Sequence, residues 1–332
     1  MARLAPVRAF TGHARVASKA EIGPAIPKFL LKAEVDALPG HQCLVASGQF
    51  TVHWARAGQF PWCLQEIGRL RELSFRAAGE GTGKASDVDL FDSYYLHLFV
   101  WDTQAEAILG AYRLGRVDEI LARFGKRGLY THSLFHYTTQ VLRAINPAIE
   151  LGRSFVRTEY QRSFAPLMLL WRGIGQFVVQ SPQYAILFGA VSISNDYEPA
   201  SRQLIVDYLK ANSIELNLAR HVKPRRPYRS RKMAELDSAE LAALNDIEDV
   251  SRLIKQIERD SKGVPILLKQ YLKLGGRLLA FSADAKFNNT LDGLIMVDLR
   301  RSDPRVLARY LGDVGAASFL AYHGKQPNAL RA

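Results

Sequence analysis

Between Pro147 and Arg157 the chain reads Pro-Ala-Ile-Glu-Leu-Gly-Arg-Ser-Phe-Val-Arg, an apolar, β-prone run carrying Glu150 and Arg153. Charged side chains are seldom buried unless something pairs with them. A carboxylate held in an apolar strand has its pKa raised, and the functional reading is that Glu150 and Arg153 line a cleft. In a regular strand Glu150 and Arg153 point to opposite faces, but a glycine inside a strand often marks a bulge. A bulge at Gly152 brings both toward one site. An ordinary ion pair on a half-exposed strand accounts for the same residues. Ser154 is a weak nucleophile candidate, because Gly152-Arg153-Ser154-Phe155-Val156 lacks the second glycine of a nucleophile elbow.

A second set of charges lies upstream. Pro61 opens a helix to about Ala77, on which Leu64, Ile67, Gly68, Arg71 and Phe75 share one stripe. Arg71 in that stripe needs a carboxylate, and Asp87, Asp89 and Asp92 are at hand. The run Gly79-Glu80-Gly81-Thr82-Gly83-Lys84 resembles a phosphate loop. It lacks the glycine at Ala78, the hydroxyl at Ala85 and a strand leading in, so a mobile loop is expected. His97-x4-Asp102 matches a glycerolipid O-acyltransferase motif. It falls along a strand that separates the two side chains, so His97 reads as a core residue.

These residues sit on alternating elements. Strands are expected at 42–54, Tyr94–Trp101, Ile108–Arg113, the central stretch, Tyr184–Ser194, Arg277–Ser282 and Leu291–Leu299. Helices are expected at Pro61–Ala77, Leu134–Ile145, Pro166–Gln180, Pro199–Lys210, 238–260, Pro265–Leu274 and Pro304–Leu311. That order is α/β. The domain reading is a basic N-terminal arm over 1–40, a core over 41–212, a basic linker or arm over 213–236, a C-terminal α/β part over 237–315, and a tail over 316–332.

The 332 residues bury a sizeable core, and 48% hydrophobic with 23% charged residues excludes a disordered chain. Cys43 and Cys63 are too few for a disulfide framework, no Cys/His spacing suits zinc, and a reducing, cytoplasmic setting is expected. No apolar run reaches the roughly 20 residues of a membrane span. The net charge of +12 points to an acidic partner: nucleic acid, an anionic membrane surface or an acidic protein. Tyr228 is the one aromatic residue between Lys210 and Lys232, poor support for base stacking, so nucleic acid is not expected.

Taken together, Arg71-x3-Phe75, Asp89-x2-Asp92, Arg113 and Glu150-x2-Arg153 resemble, in order and spacing, the signature of acyl-homoserine-lactone synthases, GNAT-fold enzymes that use acyl carrier protein. The wider texture is closer to ornithine-lipid N-acyltransferases of the haemolysin-like type. It lies in Phe91-Asp92-x4-His97-Leu98, Gly110-Ala111-Tyr112-Arg113, Glu150-Leu151-Gly152-Arg153-Ser154, Leu170-Trp171-Arg172-Gly173-Ile174, Leu187-Phe188-Gly189-Ala190 and Phe287-Asn288. The resemblance implies a GNAT-like α/β fold: a central mixed twisted sheet flanked by helices, with a smaller α/β C-terminal extension. It implies transfer of a (3-hydroxy)acyl chain from acyl carrier protein to the α-amine of an amino acid, L-ornithine above others. Glu150 and Arg153 would be catalytic, and Arg71, Phe75, Asp89, Asp92 and Arg113 would bind the acceptor. The usual pyrophosphate loop is replaced by Arg157-Thr158-Glu159-Tyr160-Gln161-Arg162-Ser163, compatible with a phosphopantetheine arm on a carrier protein. Arg157, Tyr160, Arg162 and Trp171 are therefore the expected donor side, with no metal and no permanently bound cofactor. Relatives are sometimes fused to an O-acyltransferase domain; none is seen here, so only the first acylation is implied. An acyl-homoserine-lactone synthase and a non-enzymatic basic binding protein are the competing readings.

Overall fold

The computed structural model describes residues 20–161, 165–229, 244, 246–285 and 287–324. The chain opens with α1 (Lys28–Asp36), the hairpin β1 (Cys43–Ser47) and β2 (Phe50–Arg56), and α2 (Pro61–Ala77). Then come β3 (Leu96–Asp102), β4 (Ala107–Arg116), α3 (Val117–Phe124), β5 (Phe135–Tyr137) and α4 (Thr139–Ile145). The central stretch forms β6 (Ala148–Val156), followed by α5 (Ala165–Gln180), β7 (Ile186–Ile193) and α6 (Pro199–Asn212). Next are α7 (Leu216–Ala219), β8 (Val222–Pro224), α8 (Ile247–Ile257), α9 (Ile266–Lys273), β9 (Arg277–Asp284) and β10 (Thr290–Asp298). The last described elements are α10 (Pro304–Leu311) and α11 (Asp313–Gly324).

An eight-stranded sheet runs in the order β1-β2-β3-β4-β6-β7-β10-β9, and β5 pairs with β8 apart from it. All neighbours in the large sheet are antiparallel except β6 and β7, which are parallel. The C-terminal strands thus extend the same sheet. Side chains alternate along each strand, so each face takes its own helix. Leu98, Tyr112, Leu114 and Leu151 pack with α5, whereas Phe99, Ala111 and Phe155 pack with α1 and α2.

Five expectations need correction. The one strand expected at 42–54 is the antiparallel hairpin of β1 and β2, turned at Gly48, whose φ of 59° suits glycine. The helix expected over Leu134–Ile145 is β5 followed by α4, because Phe135 and Tyr137 are buried around exposed His136 with the period of a strand. The described part of the basic segment, 213–229, is no free arm. Val222–Pro224 pairs with β5, and bridges join Ile214 to Leu278 and Pro227 to Ser282. Within the supposed N-terminal arm, Leu31 and Val35 bury a helical face, and Glu34 accepts hydrogen bonds from Trp62 N and Cys63 N at 2.9 and 2.8 Å, capping α2. The supposed tail from 316 begins inside α11. Among the described residues no helix is long and apolar enough to cross a membrane.

Candidate active site

Arg71, two residues past the middle of α2, is 1% exposed. Its guanidinium donates to both Asp92 oxygens at 2.9 and 2.8 Å and to the Asp87 carbonyl. Asp92 in turn accepts from Asp89 N, and Asp89 accepts from Phe91 N, a reciprocal cap that fixes the turn after the glycine-rich loop. Arg113 on β4 donates to Asp89 at 2.6 Å and lies 3.3 Å from Asp92. Its guanidinium sits over the rings of Phe91, Tyr95 and Tyr130. Burial opposes ionisation of Asp92, but Arg71 and Arg113 beside it hold its carboxyl well below the usual range. Arg71 and Arg113 thus pair with Asp89 and Asp92. The structure brings the expected acceptor-side residues together, yet Arg71 and Arg113 are sealed inside.

The bulge exists one residue beyond Gly152. Gly152 still pairs with Arg113, and Phe155 pairs with Ala111, so Arg153 and Ser154 together oppose Tyr112. Arg153 takes the left-handed conformation, φ 52°, and its side chain turns to the face that carries Glu150. There its Nε lies 3.2 Å from Asp87, its Nη1 donates to the Tyr130 hydroxyl at 3.1 Å, and its guanidinium is sandwiched between the Tyr130 and Phe287 rings. Glu150 is 1% exposed. It accepts hydrogen bonds from the Tyr95 hydroxyl, from Tyr130 N at 3.1 Å and from Thr131 N at 2.6 Å. Burial raises its pKa against the pull of those donors. It ties the 130–131 turn to β6.

The opening lies next to this network. Pairing of β6 with β7 ends at Leu151 opposite Gly189. A side chain at Gly189 would put Cβ 2.1 Å from the Leu151 oxygen, so only glycine permits that close approach. Past this point the facing edges of the two strands do not pair with each other, and a cavity of about 140 Å³ lies there. Leu151, Tyr112, Val191 and Tyr271 line it from the α5 face. Arg153, Ser192, Asp284 and Asp292 line it from the other face, with Glu80 and Phe75 above. The cavity therefore passes through the sheet, apolar at one end and acidic at the other. A larger cavity of about 570 Å³, lined by Lys84, Asp89, Arg225 and Arg226, shares Tyr130, Arg153, Asp284 and Phe287 with it. The sandwiched Arg153 side chain borders both. Glu150 lines neither.

Asp292 and Glu80 escaped the sequence reading. Asp292 is 5% exposed and accepts from Ser192 Oγ at 2.8 Å; burial foremost, with Asp284 and Glu80 nearby, pushes its pKa up to about 8. Burial and Asp196 push half-buried Glu80 up to about 7. The signal was present: Asp284 and Asp292 interrupt apolar strands just as Glu150 does. The glycine-rich loop holds no place for phosphate, because Thr82 N and Gly83 N donate to the Glu72 carboxylate at 3.0 and 2.8 Å. The loop expected to be mobile is tied down there. His97 bonds the Asp92 carbonyl, while Asp102 accepts from Gln104 N and Ala105 N, so the two do not meet.

The expected donor side is more scattered. Arg157 pairs with Glu159 at the end of β6, with the Tyr160 ring 5.9 Å away, and neither Arg157 nor Tyr160 lines the cavities. Arg162 lies outside the described residues. Trp171 is 2% exposed and packs against Tyr112, Tyr271 and Tyr310, one layer behind the cavity.

Residues 70–172 match the acetyltransferase (GNAT) domain family. The chain is 34% identical over 237 residues to a glycine N(alpha)-acyltransferase of Phocaeicola vulgatus, covering 67% of this chain and 71% of that one. It is 27% identical over 250 residues to an L-ornithine N(alpha)-acyltransferase of Agrobacterium fabrum, covering 74% of this chain and 78% of that one. The solved structure of a CoA-dependent acyl-homoserine lactone synthase, BjaI, is 13% identical, covers 81% of this chain and 98% of that one, and superposes with a TM-score of 0.36. The chain belongs to the GNAT family of N-acyltransferases that includes the glycine and L-ornithine N(alpha)-acyltransferases.

Proposed function

We propose that the chain moves a (3-hydroxy)acyl group from the phosphopantetheine thioester of acyl carrier protein to the α-amine of an amino acid, L-ornithine first, giving a monoacyl amide. The passage through the sheet carries this reading. Its apolar end suits the carbonyl end of an acyl chain, and its acidic end attracts an ammonium group. The amine lone pair attacks the thioester carbonyl, the N–C bond forms, the C–S bond breaks and the thiolate leaves. No enzyme nucleophile is needed. Arg153 is the arginine that borders both cavities, so it is the group within reach of an acceptor carboxylate. A second ammonium, as on ornithine, suits Glu80 and Asp284.

Glycine is the second reading, favoured by the relative at 34% identity. The donor protein is acidic and docks on Lys223, Arg225, Arg226 and Arg229, near the larger cavity that Arg225 and Arg226 line; Arg231, expected with them, lies outside the described residues. An anionic membrane surface is a further partner, supported by the net charge of +12.

The test offers purified protein acyl carrier protein loaded with acyl chains and a panel of ornithine, lysine, glycine, glutamine and S-adenosylmethionine, with products read by mass spectrometry. N-acylornithine is the expected product. Product from glycine alone selects the second reading, and product from S-adenosylmethionine alone makes the chain a signal synthase. No product from any amine overturns the proposal.

A further inference from the structure

Glu150, the catalytic carboxylate that the resemblance implies, is turned away from both cavities and spends its oxygens on Tyr95, Tyr130 and Thr131. The cavity in the sheet holds another. We propose that Asp292 on β10 takes the proton from the attacking amine, oriented by Ser192 at the edge of the gap between β6 and β7. The inference rests on the acyl-transfer reading above.

Its placement is the first argument. Ser192 stands directly opposite Asp292 in the β7–β10 ladder, three residues past the point where β7 parts from β6. The bond from Ser192 Oγ to Asp292 Oδ1 fixes the carboxylate toward that opening. The second argument comes from the opposite wall. Tyr112, 1% exposed, lines the same cavity, and its hydroxyl stands beside the Ser154 and Tyr271 hydroxyls. A hydroxyl facing a cavity is a donor for the acceptor of a ligand that enters it. A thioester carbonyl offers that acceptor, so the two polar groups bracket the space where nitrogen must meet carbon. The third argument is chemical. Asp292 makes no salt bridge among the described residues, and no three His, Cys, Asp or Glu side chains among them are grouped to hold a metal ion. Arg153, the cation that faces it, is paired with Asp87 and Asp89, so the carboxylate stays open to a proton or an ammonium group.

The step balances without a co-reactant. The neutral amine attacks and the nitrogen becomes positive. Asp292 removes one nitrogen proton, and the tetrahedral centre collapses to the amide. The departing thiolate then takes the proton from Asp292, which regenerates the carboxylate. The groups facing Asp292 are Ser192 on β7, Asp284 on β9, Glu80 after α2, Arg153 on β6 and Tyr130. Two carboxylates and burial favour its protonated form, while Arg153 and Ser192 favour the ionised one. Proton transfer near neutral pH needs a group of that kind.

The experiment is single-turnover transfer from acyl carrier protein to saturating acceptor, followed from about pH 6 to about pH 10 with two acceptors of different amine pKa. The wild type should show a limb near 8 that does not move with the acceptor. Asp292→Asn should lose that limb and roughly 10²–10⁴ in rate, with the KM for the acyl donor unchanged. Asp292→Glu should recover part of the rate with the limb displaced. Should Asp292→Asn fail to fold, Ser192→Ala carries the test, losing about tenfold in kcat with KM unchanged. An Asp292→Asn enzyme with wild-type rate and limb overturns the assignment while acyl transfer stands. A wild type that acylates no amine overturns the acyl-transfer reading instead.

Discussion

Two groups of acids lie on either hand of Arg153. On one side Asp87, Asp89 and Asp92 are met by Arg71, Arg113 and Arg153. On the other, Asp292 and Glu80 make no salt bridge among the described residues and border an open cavity. Their titration departs in opposite directions: Asp92 is held low, and Asp292 is raised to about 8. Compensated charge of the first kind specifies a fold, whereas charge left uncompensated beside a cavity is kept for something that enters it. Arg153 belongs to both, bonded to the first group and walling the second.

Cutting the compensated side should show the largest cost to stability. Arg71→Ala strands Asp92 and should lose about 3–5 kcal/mol, read as a large fall in the denaturation midpoint. A loss near zero would merge the two groups into one class. Tyr112→Phe removes a hydroxyl that lines the cavity, so turnover should fall by roughly 10²–10³, the cost of one oxyanion donor. Glu150→Gln puts an amide where three donors converge and should cost about 1–3 kcal/mol. The pH limb near 8 should survive in it; its disappearance would give Glu150 the role of base.

The pH dependence of stability separates the groups further. Asp92, depressed when folded, adds stability above its ordinary value of 3.8 that is lost as pH falls toward the folded pKa. Asp292 has the opposite sign: the unfolded chain ionises first, so stability falls as pH rises from 3.8 to about 8. Asp292→Asn should therefore melt increasingly above the wild type across that window, by about 2–4 °C for each kcal/mol regained. The smallest effect is at the surface. Reversing the charge of Lys223, Arg225 and Arg229 should raise KM for the acyl donor and weaken its salt dependence, with kcat little changed at saturation.

How much of this could be read from the sequence follows from how local each signal is. The stripe that buries Arg71 is a property of one helix, and its aspartates lie shortly after it, so both were legible. Glu150 and Arg153 were found because charge stood out in an apolar strand, and the bulge was foreseen one residue early. The boundary of α10 at Pro304 and Leu311 was also plain, since proline pre-organises the first helical turn. Asp292 carried the same charge-in-strand signal but lies far from β6 in sequence, and the β7–β10 pairing that brings it to the gap is non-local. The arms were misread for a related reason. Residues 213–229 are rich in basic side chains, yet their backbone pairs with β5 and bridges to β9, which composition does not report.

The contrast between the two acid groups is tested most directly by carboxyl ¹³C NMR titration of the aspartates in the wild-type protein. Asp292 should titrate near 8 while Asp92 stays ionised well below 3.8. Asp292 titrating at the ordinary 3.8 would contradict the account, because the cavity carboxylate would then be no different in kind from a solvated surface aspartate.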